Sequence, residues 1–329
     1  MKELRVKGSY HDMGLQFGKS LSEWHREFSP SDGILKLAWK CEAAAQKHAP
    51  GILEELRGVS ESSGTSYEAL ISTNLAPAAI FGCTVFAVKG EETANGSPIY
   101  ARQQDCFKSD VEALHVIHAE PANGQRSVGF SFGDNGRYGG QNEEGLTIAM
   151  AYVGMYAGQF PKPGIRMNIS SRWALDNFTT TEETVDYLLK IPHTEPVNFL
   201  VADGTGTIAR VETCPEKTAA RYLEEGLEVV TVFYTIDEMK HLDRPWPEDF
   251  LFYEYDRRVK KWFEENRGSI TVENVKTLCR DPQKGICEYY GNPGDNDEIT
   301  IWSWIAETNP ARIQIAPGPP CKTEYKHLK

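Results

Sequence analysis

The 329-residue sequence predicts an α+β protein: a sandwich of two antiparallel β-sheets with helices outside them and a helical segment at the N-terminus. Three observations carry this expectation. Helix-forming and strand-forming blocks alternate as helices, strands, helices, strands, helices, strands. The strand blocks are joined by turn-rich pieces such as EETANG and AEPANGQ and not by crossover helices, which disfavours Rossmann and TIM-barrel arrangements. A hydrophobic content of 40% in a chain of this length is ample for the core of one domain.

Residues 1–75 read as mostly helical. KLAWKCEAAAQKHA and GILEELRGVSESSG combine strong helix formers with helical apolar spacing. Thr65 with Glu68 fits a capping box for the short helix SYEALIS. At Cys83 the texture changes. CTVFAVKG, SPIYARQQ, ALHVIHAEP, RSVGFSFGD and GLTIAMAYV are short segments rich in β-branched and aromatic residues, with DNGRYGGQNEEG read as a turn region between the last two. SRWALDNF and TTTEETVDYLLKI follow as helices, the second with Thr180 and Glu183 as a capping box. NFLVADGTGTIARVETC reads as a hairpin over an Asp-Gly-Thr-Gly turn, and GLEVVTVFYT as a further strand. Helices over about 250–266 and 271–280, then strands EITIWSWIAE and ARIQIAPG, complete the pattern.

Charge and cysteine usage narrow the function classes. Thirty-five Lys and Arg against 47 Asp and Glu give a net charge of −12, which argues against nucleic acid or an anionic membrane as partner. The start, MKELRVKGSYHDMG, has no apolar h-region, and no run of about 18 apolar residues reads as a membrane span. Seven cysteines in no framework, without a CxxC pair, suit reduced thiols in the cytoplasm. Asn168-Ile-Ser and Asn177-Phe-Thr are then chance matches to the glycosylation triplet. The pattern calls for no metal and no cofactor.

The segment FGCTVFAVKG carries the chemistry. A thiol is a nucleophile only as thiolate, so Cys83 needs a base or a positive neighbour. None of the eight histidines sits in a recognisable signature around it. If the Gly82–Cys83 bond is cut, the α-amino group of Cys83 itself becomes the base, since its pKa falls at about 7.7–8.0. Gly82 leaves its carbonyl open to attack. Standing alone, Gly82-Cys83-Thr84 also reads as a buried thiol at the head of a strand. The returning strand ARQQD adds Arg102 and Asp105: the first favours the thiolate, and the second can hold the new amine. The bland alternative is an ion pair at a strand end.

These stretches resemble, in order, the acyl-coenzyme A:6-aminopenicillanic acid acyltransferase family, a C45 peptidase family of N-terminal nucleophile hydrolases related to the choloylglycine hydrolases. The opening VKGSYHDMGLQFGKSL, FGCTVFAV, PIYARQQD, GQNEEGLTIAMAYV, NFLVADGTGTIARVE and the tail IAPGPPCKTEY each correspond to a family element. The resemblance implies an αββα sandwich and a precursor cut between Gly82 and Cys83. It implies a small subunit 1–82, a large subunit 83–329 and a Cys83 acyl-enzyme formed from a linear amide or acyl thioester. Asp105 is carried over as the residue that positions the α-amine, and Arg102 as the arginine beside the nucleophile. The family commonly has Thr-Asn-His after the Asp-Gly hairpin, its Asn donating to the oxyanion. Here Thr231-Val232-Phe233 occupies that place, and Val232 has no side-chain donor. Another donor near Ala151 and Tyr152, or a non-catalytic ligand-binding role, are the alternatives. Asn198 falls in a separate family element, and Arg257 and Arg258 read as surface charge. Tyr152 and Phe86, with Phe107 and Trp173, are the candidates for an acyl pocket, their alternative being ordinary core packing. A histidine-assisted cysteine hydrolase is a third, independent reading.

Overall fold

A computed structural model describes residues 1–21, 30–76 and 82–328. Phe81 of the FGC segment lies outside the described residues. Fourteen strands form two sheets among the described residues. The larger comprises β1 (Lys2–Gly8), β4 (His115–Pro121), β5 (Ser127–Ser131), β6 (Gly139–Asn142), β7 (Thr147–Tyr152), β8 (Val197–Ala202), β9 (Ile208–Thr213) and β10 (Thr218–Tyr222), side by side in that order. The smaller runs β11 (Leu227–Val230), β2 (Cys83–Val88), β3 (Ile99–Phe107), β12 (Glu298–Thr308), β13 (Ala311–Ala316), β14 (Lys326–Leu328). Every neighbouring pair is antiparallel except β1 with β4.

Three apolar clusters show the layering. On the outer face of the larger sheet, Ile148, Met150, Phe199 and Val201 pack against α1 (Tyr10–Leu21), α2 (Asp32–His48), α3 (Pro50–Ser63), α4 (Tyr67–Leu75), α5 (Met167–Asn177) and α6 (Thr181–Lys190). On the outer face of the smaller sheet, Phe86, Val88, Ile99 and Ala101 pack against α8 (Leu251–Asn266) and α9 (Val272–Arg280). Between the sheets lie Val85, Ala87, Tyr100, Phe130, Trp302 and Trp304, all fully buried. The result is helix, sheet, sheet, helix, as expected. A four-residue helix α7 (Asp237–Lys240) sits beside β10.

The local signals explain most boundaries. Thr180 and Glu183 form the expected capping box of α6, and Thr271 with Asn274 does the same for α9. The cap of α4 is Ser66, whose hydroxyl accepts from the Ala69 N–H, and not Thr65. The helical reading of 1–75 fails at its start, where Lys2–Gly8 is a strand. Gly139–Asn142, read as turn, is a strand, and GLEVVTVFYT forms strand only over Leu227–Val230.

Candidate active site

Cys83 is the first residue of β2, and β2 pairs with β3 so that Cys83 faces Gln104 and Val85 faces Arg102. Residues opposite one another in an antiparallel pair share a face. The thiol, Gln104 and Arg102 therefore all point into the space between the sheets. Arg102 Nη2 donates to Cys83 Sγ at 3.2 Å and to Gln104 Oε1 at 2.5 Å, while its Nη1 donates to the Tyr138 carbonyl. Cys83 and Arg102 are each 1% exposed. Burial pushes the Cys83 thiol above its ordinary value, the Arg102 charge and hydrogen bond pull it down, and Asp105 opposes them.

Asp105 has the opposite parity along β3, and its carboxylate turns to the other face of the sheet. Its backbone N–H donates to the Gly82 carbonyl at 3.0 Å, which fixes Gly82 across from it. Oδ1 accepts from the Thr300 hydroxyl at 2.6 Å, and Oδ2 has no partner among the described residues. Burial drives this carboxyl up to about 7, moderated by the Thr300 hydrogen bond and Arg102. Its neighbour Glu288 is likewise pushed up to about 8 by burial, then by Asp105 and Glu298. Over the Gly82 backbone lies the ring of Phe252 from α8: a Cβ at this position would stand 1.9 Å from Phe252 Cζ. Any larger residue there would force the Phe252 ring to move.

The structure thus brings Cys83, Gly82, Arg102 and Asp105 to one strand end, and adds three residues that sequence reasoning missed: Gln104, Tyr138 and Thr300. It does not bring the expected acyl-pocket residues to the thiol. Phe86 faces α8, 6.0 Å centroid to centroid from Trp262. Tyr152 packs on the helix-facing side of the larger sheet, near Phe160. Trp173 stacks on Tyr10, and Phe107 ends β3 half-buried. The aromatic residues on the thiol's own face are different. Trp302 faces Gln104 from β12, with Phe132 at 4.6 Å and Tyr138 in turn 5.0 Å from Phe132.

Val232 is buried within the helix-side cluster, so its place offers no side-chain donor. Asn198 commits both amide protons elsewhere, to the Thr231 and Phe233 carbonyls at 2.9 and 2.8 Å. Arg257 and Arg258 both pair with Glu254, and Arg258 also donates to the Gly285 carbonyl. Among the described residues no cluster of three or more His, Cys, Asp or Glu could hold a metal ion, and no helix is long and apolar enough to cross a membrane.

Helix, sheet, sheet and helix in four layers are the architecture of the N-terminal nucleophile hydrolase fold, and comparison with known proteins agrees with that fold. The family described as acyl-coenzyme A:6-aminopenicillanic acid acyl-transferase matches residues 91–321, well over half of the chain, and the chain belongs to that family. The match begins after Cys83. Among solved structures, a mutant of the conjugated bile acid hydrolase from Clostridium perfringens is similar over 75% of this chain and 96% of its own, at 16% identity and a TM-score of 0.51. Penicillin V acylase from Agrobacterium tumefaciens is similar over 75% of this chain and 86% of its own, at 18% identity and a TM-score of 0.51. No curated protein matches the sequence.

Proposed function

We propose that the protein is a self-processing cysteine amidase or acyltransferase acting on linear amide or acyl thioester bonds of small molecules. The carrying observation is the β2–β3 strand end: a thiol 3.2 Å from a buried guanidinium, with the preceding Gly82 carbonyl held by the Asp105 N–H. Cys83 Sγ adds to the Gly82 carbonyl carbon as its thiol proton passes to the peptide nitrogen, the C–N bond breaks, and a Gly82 thioester with a free α-amine results. Water hydrolyses the thioester, leaving a Gly82 carboxylate, a free thiol and a new α-amine. The chain 1–329 works as one domain in two pieces, 1–82 and 83–329. In the cut form the α-amine is the general base, Asp105 Oδ2 accepts one of its protons, and Arg102 favours the thiolate. The substrate's acyl group passes to Cys83 Sγ and then to water or an amine. The aromatic group Trp302, Phe132 and Tyr138 on the thiol's face offers the acyl chain an apolar wall. Membership of an acyltransferase family supports this reaction class, as do two structural relatives, a conjugated bile acid hydrolase and a penicillin V acylase. Seven free thiols, six of them buried, suit a cytoplasmic setting.

Intact-mass measurement tests the proposal. Two masses corresponding to 1–82 and 83–329, and a single mass for Cys83→Ala with no amidase or acyltransferase activity, are expected. A fully active single chain whose activity survives Cys83→Ala refutes it. A second reading, an uncut binder of acyl or amide ligands, is favoured by one observation: the buried Val232 at the place of the family's oxyanion Asn. Acylation of Cys83 by a model thioester removes that reading.

A further inference from the structure

The amide orientation of Gln104 is fixed by its neighbour. A guanidinium has donors only, so the oxygen of Gln104 must face Arg102 Nη2, which lies 2.5 Å from it. Its NH2 group is thereby turned the other way, to the Gly82 carbonyl oxygen at 3.5 Å and the Asp105 carbonyl at 3.3 Å. The Gly82 oxygen already accepts from the Asp105 N–H at 3.0 Å. Two N–H groups thus converge on the carbonyl that Cys83 would attack. Gln104 is fully buried, so neither donor competes with bulk water.

We propose that Gln104 is a catalytic residue of chain cleavage, and that its Nε2–H and the Asp105 backbone N–H form the oxyanion hole for the Gly82 carbonyl. This rests on the reading of Gly82–Cys83 self-cleavage. When Cys83 Sγ adds to the Gly82 carbon, the C=O electron pair moves onto the oxygen, which becomes an alkoxide. A 3.5 Å contact is long for the ground state, and it shortens as the carbon becomes tetrahedral and the oxygen gains charge. The pair then collapses back, the C–N bond breaks and the nitrogen leaves as the α-amine. Gln104 also relays Arg102: with its oxygen held by the guanidinium, the amide is polarised and its N–H is a better donor.

The test follows cleavage of the full-length chain made by cell-free synthesis, with aliquots quenched in acid and weighed intact. Gln104→Met removes the donor. Gln104→Glu keeps an acceptor for Arg102 but turns a carboxylate oxygen on the Gly82 carbonyl, so it preserves the Arg102 pairing that folding uses. Urea unfolding of both variants in the uncut Cys83→Ala background reports any loss of stability. The wild-type chain is expected to separate into 1–82 and 83–329, and both variants to do so about 10²-fold more slowly. Should Gln104→Met prove unstable, Gln104→Glu alone decides. Cleavage of either folded variant within about threefold of the wild-type rate overturns the role of Gln104 and leaves self-cleavage standing. A wild-type chain that stays whole overturns self-cleavage, and this inference with it.

Discussion

Asp105 is expected to destabilise the uncut chain at neutral pH, and Asp105→Asn in the Cys83→Ala background measures by how much. The carboxyl is buried, Oδ2 is unpartnered, and its value is raised from 3.8 to about 7. An acid whose folded value lies above its unfolded value holds more protons in the folded state between the two. Stability is therefore level below about 3.8, falls as pH rises from there to about 7, and is level again above. Integrated between pH 5 and 8, the loss is about 2–3 kcal/mol. Asparagine cannot ionise. It keeps an oxygen for the Thr300 hydroxyl and leaves an amide where Oδ2 was, a cost that does not depend on pH. The difference in unfolding free energy between the variant and its parent should thus move in favour of Asn by about 2–3 kcal/mol from pH 5 to pH 8. Glu288, Glu298, Tyr255 and Arg102 also act around this site; Glu288 is raised in part by Asp105 and loses that part in the variant, so the difference reports the coupled pair and moves in the same direction. Urea titrations at four pH values, read by tryptophan fluorescence, supply the numbers. A difference that stays constant across the range refutes the reasoning.

Gly82→Ala should slow chain cleavage by about tenfold or more, because its Cβ would overlap the Phe252 ring; adding Phe252→Leu should restore part of the rate, read by intact mass. Arg102→Leu should raise the pH at which Cys83 of the cut enzyme is alkylated by about one to two units, since a buried hydrogen bond from a charged donor is lost; peptide mass spectrometry against pH measures this. Glu55→Ala should destabilise the protein by about 3–5 kcal/mol in urea titrations: Glu55 of α3 pairs with the fully buried Arg172 of α5 at 2.9 Å, and α3 and α5 belong to the two proposed pieces. Val232→Asn should cost about 1–3 kcal/mol without raising turnover, because the side chain enters an apolar cluster, as an amide substrate assay and a urea midpoint together would show.

The hairpin and its candidate-site strand were legible because they are local. Alternating β-branched and aromatic residues marked β2 and β3, and the turn EETANG set them antiparallel. Strand parity was in the sequence too, and it explains what the motif reading missed. Residues 102 and 104 share a face and 105 does not, so Gln104 belongs with the thiol while Asp105 looks to the helices. By the same rule Phe86 turns away from Cys83. The strands that escaped notice, β1, β10 and β14, are all sheet edges, where charged residues such as those of KELRVKG blunt the apolar alternation. Strand β6, GGQN, carries no strand signal at all; β5 and β7 on either side impose its conformation. Trp302 and Phe132 reach the thiol's face from strand β12 and from just after β5, a placement set by tertiary structure alone.

The charges around Gly82 argue for cutting over binding. On the helix side of the smaller sheet, Asp105, Glu288 and Glu298 act on one another, and each of the first two is raised by burial and by its acidic neighbours. Arg102 offers Asp105 partial relief, but it lies on the other face and spends its donors on Tyr138, Gln104 and the thiol. A buried carboxylate with an orphan oxygen is costly unless something of opposite charge arrives. The proposed cleavage would supply that charge, because the new ammonium of Cys83 would form at the strand end beside Asp105. The two readings of the protein then diverge at this residue. In an uncut ligand binder, Asp105→Asn removes a liability and leaves function intact. In a self-processing enzyme it removes the partner of the catalytic amine, so activity of the cut form should fall by about 10²-fold or more in an amide hydrolysis assay. Unchanged activity in Asp105→Asn would sink the catalytic assignment of this carboxylate.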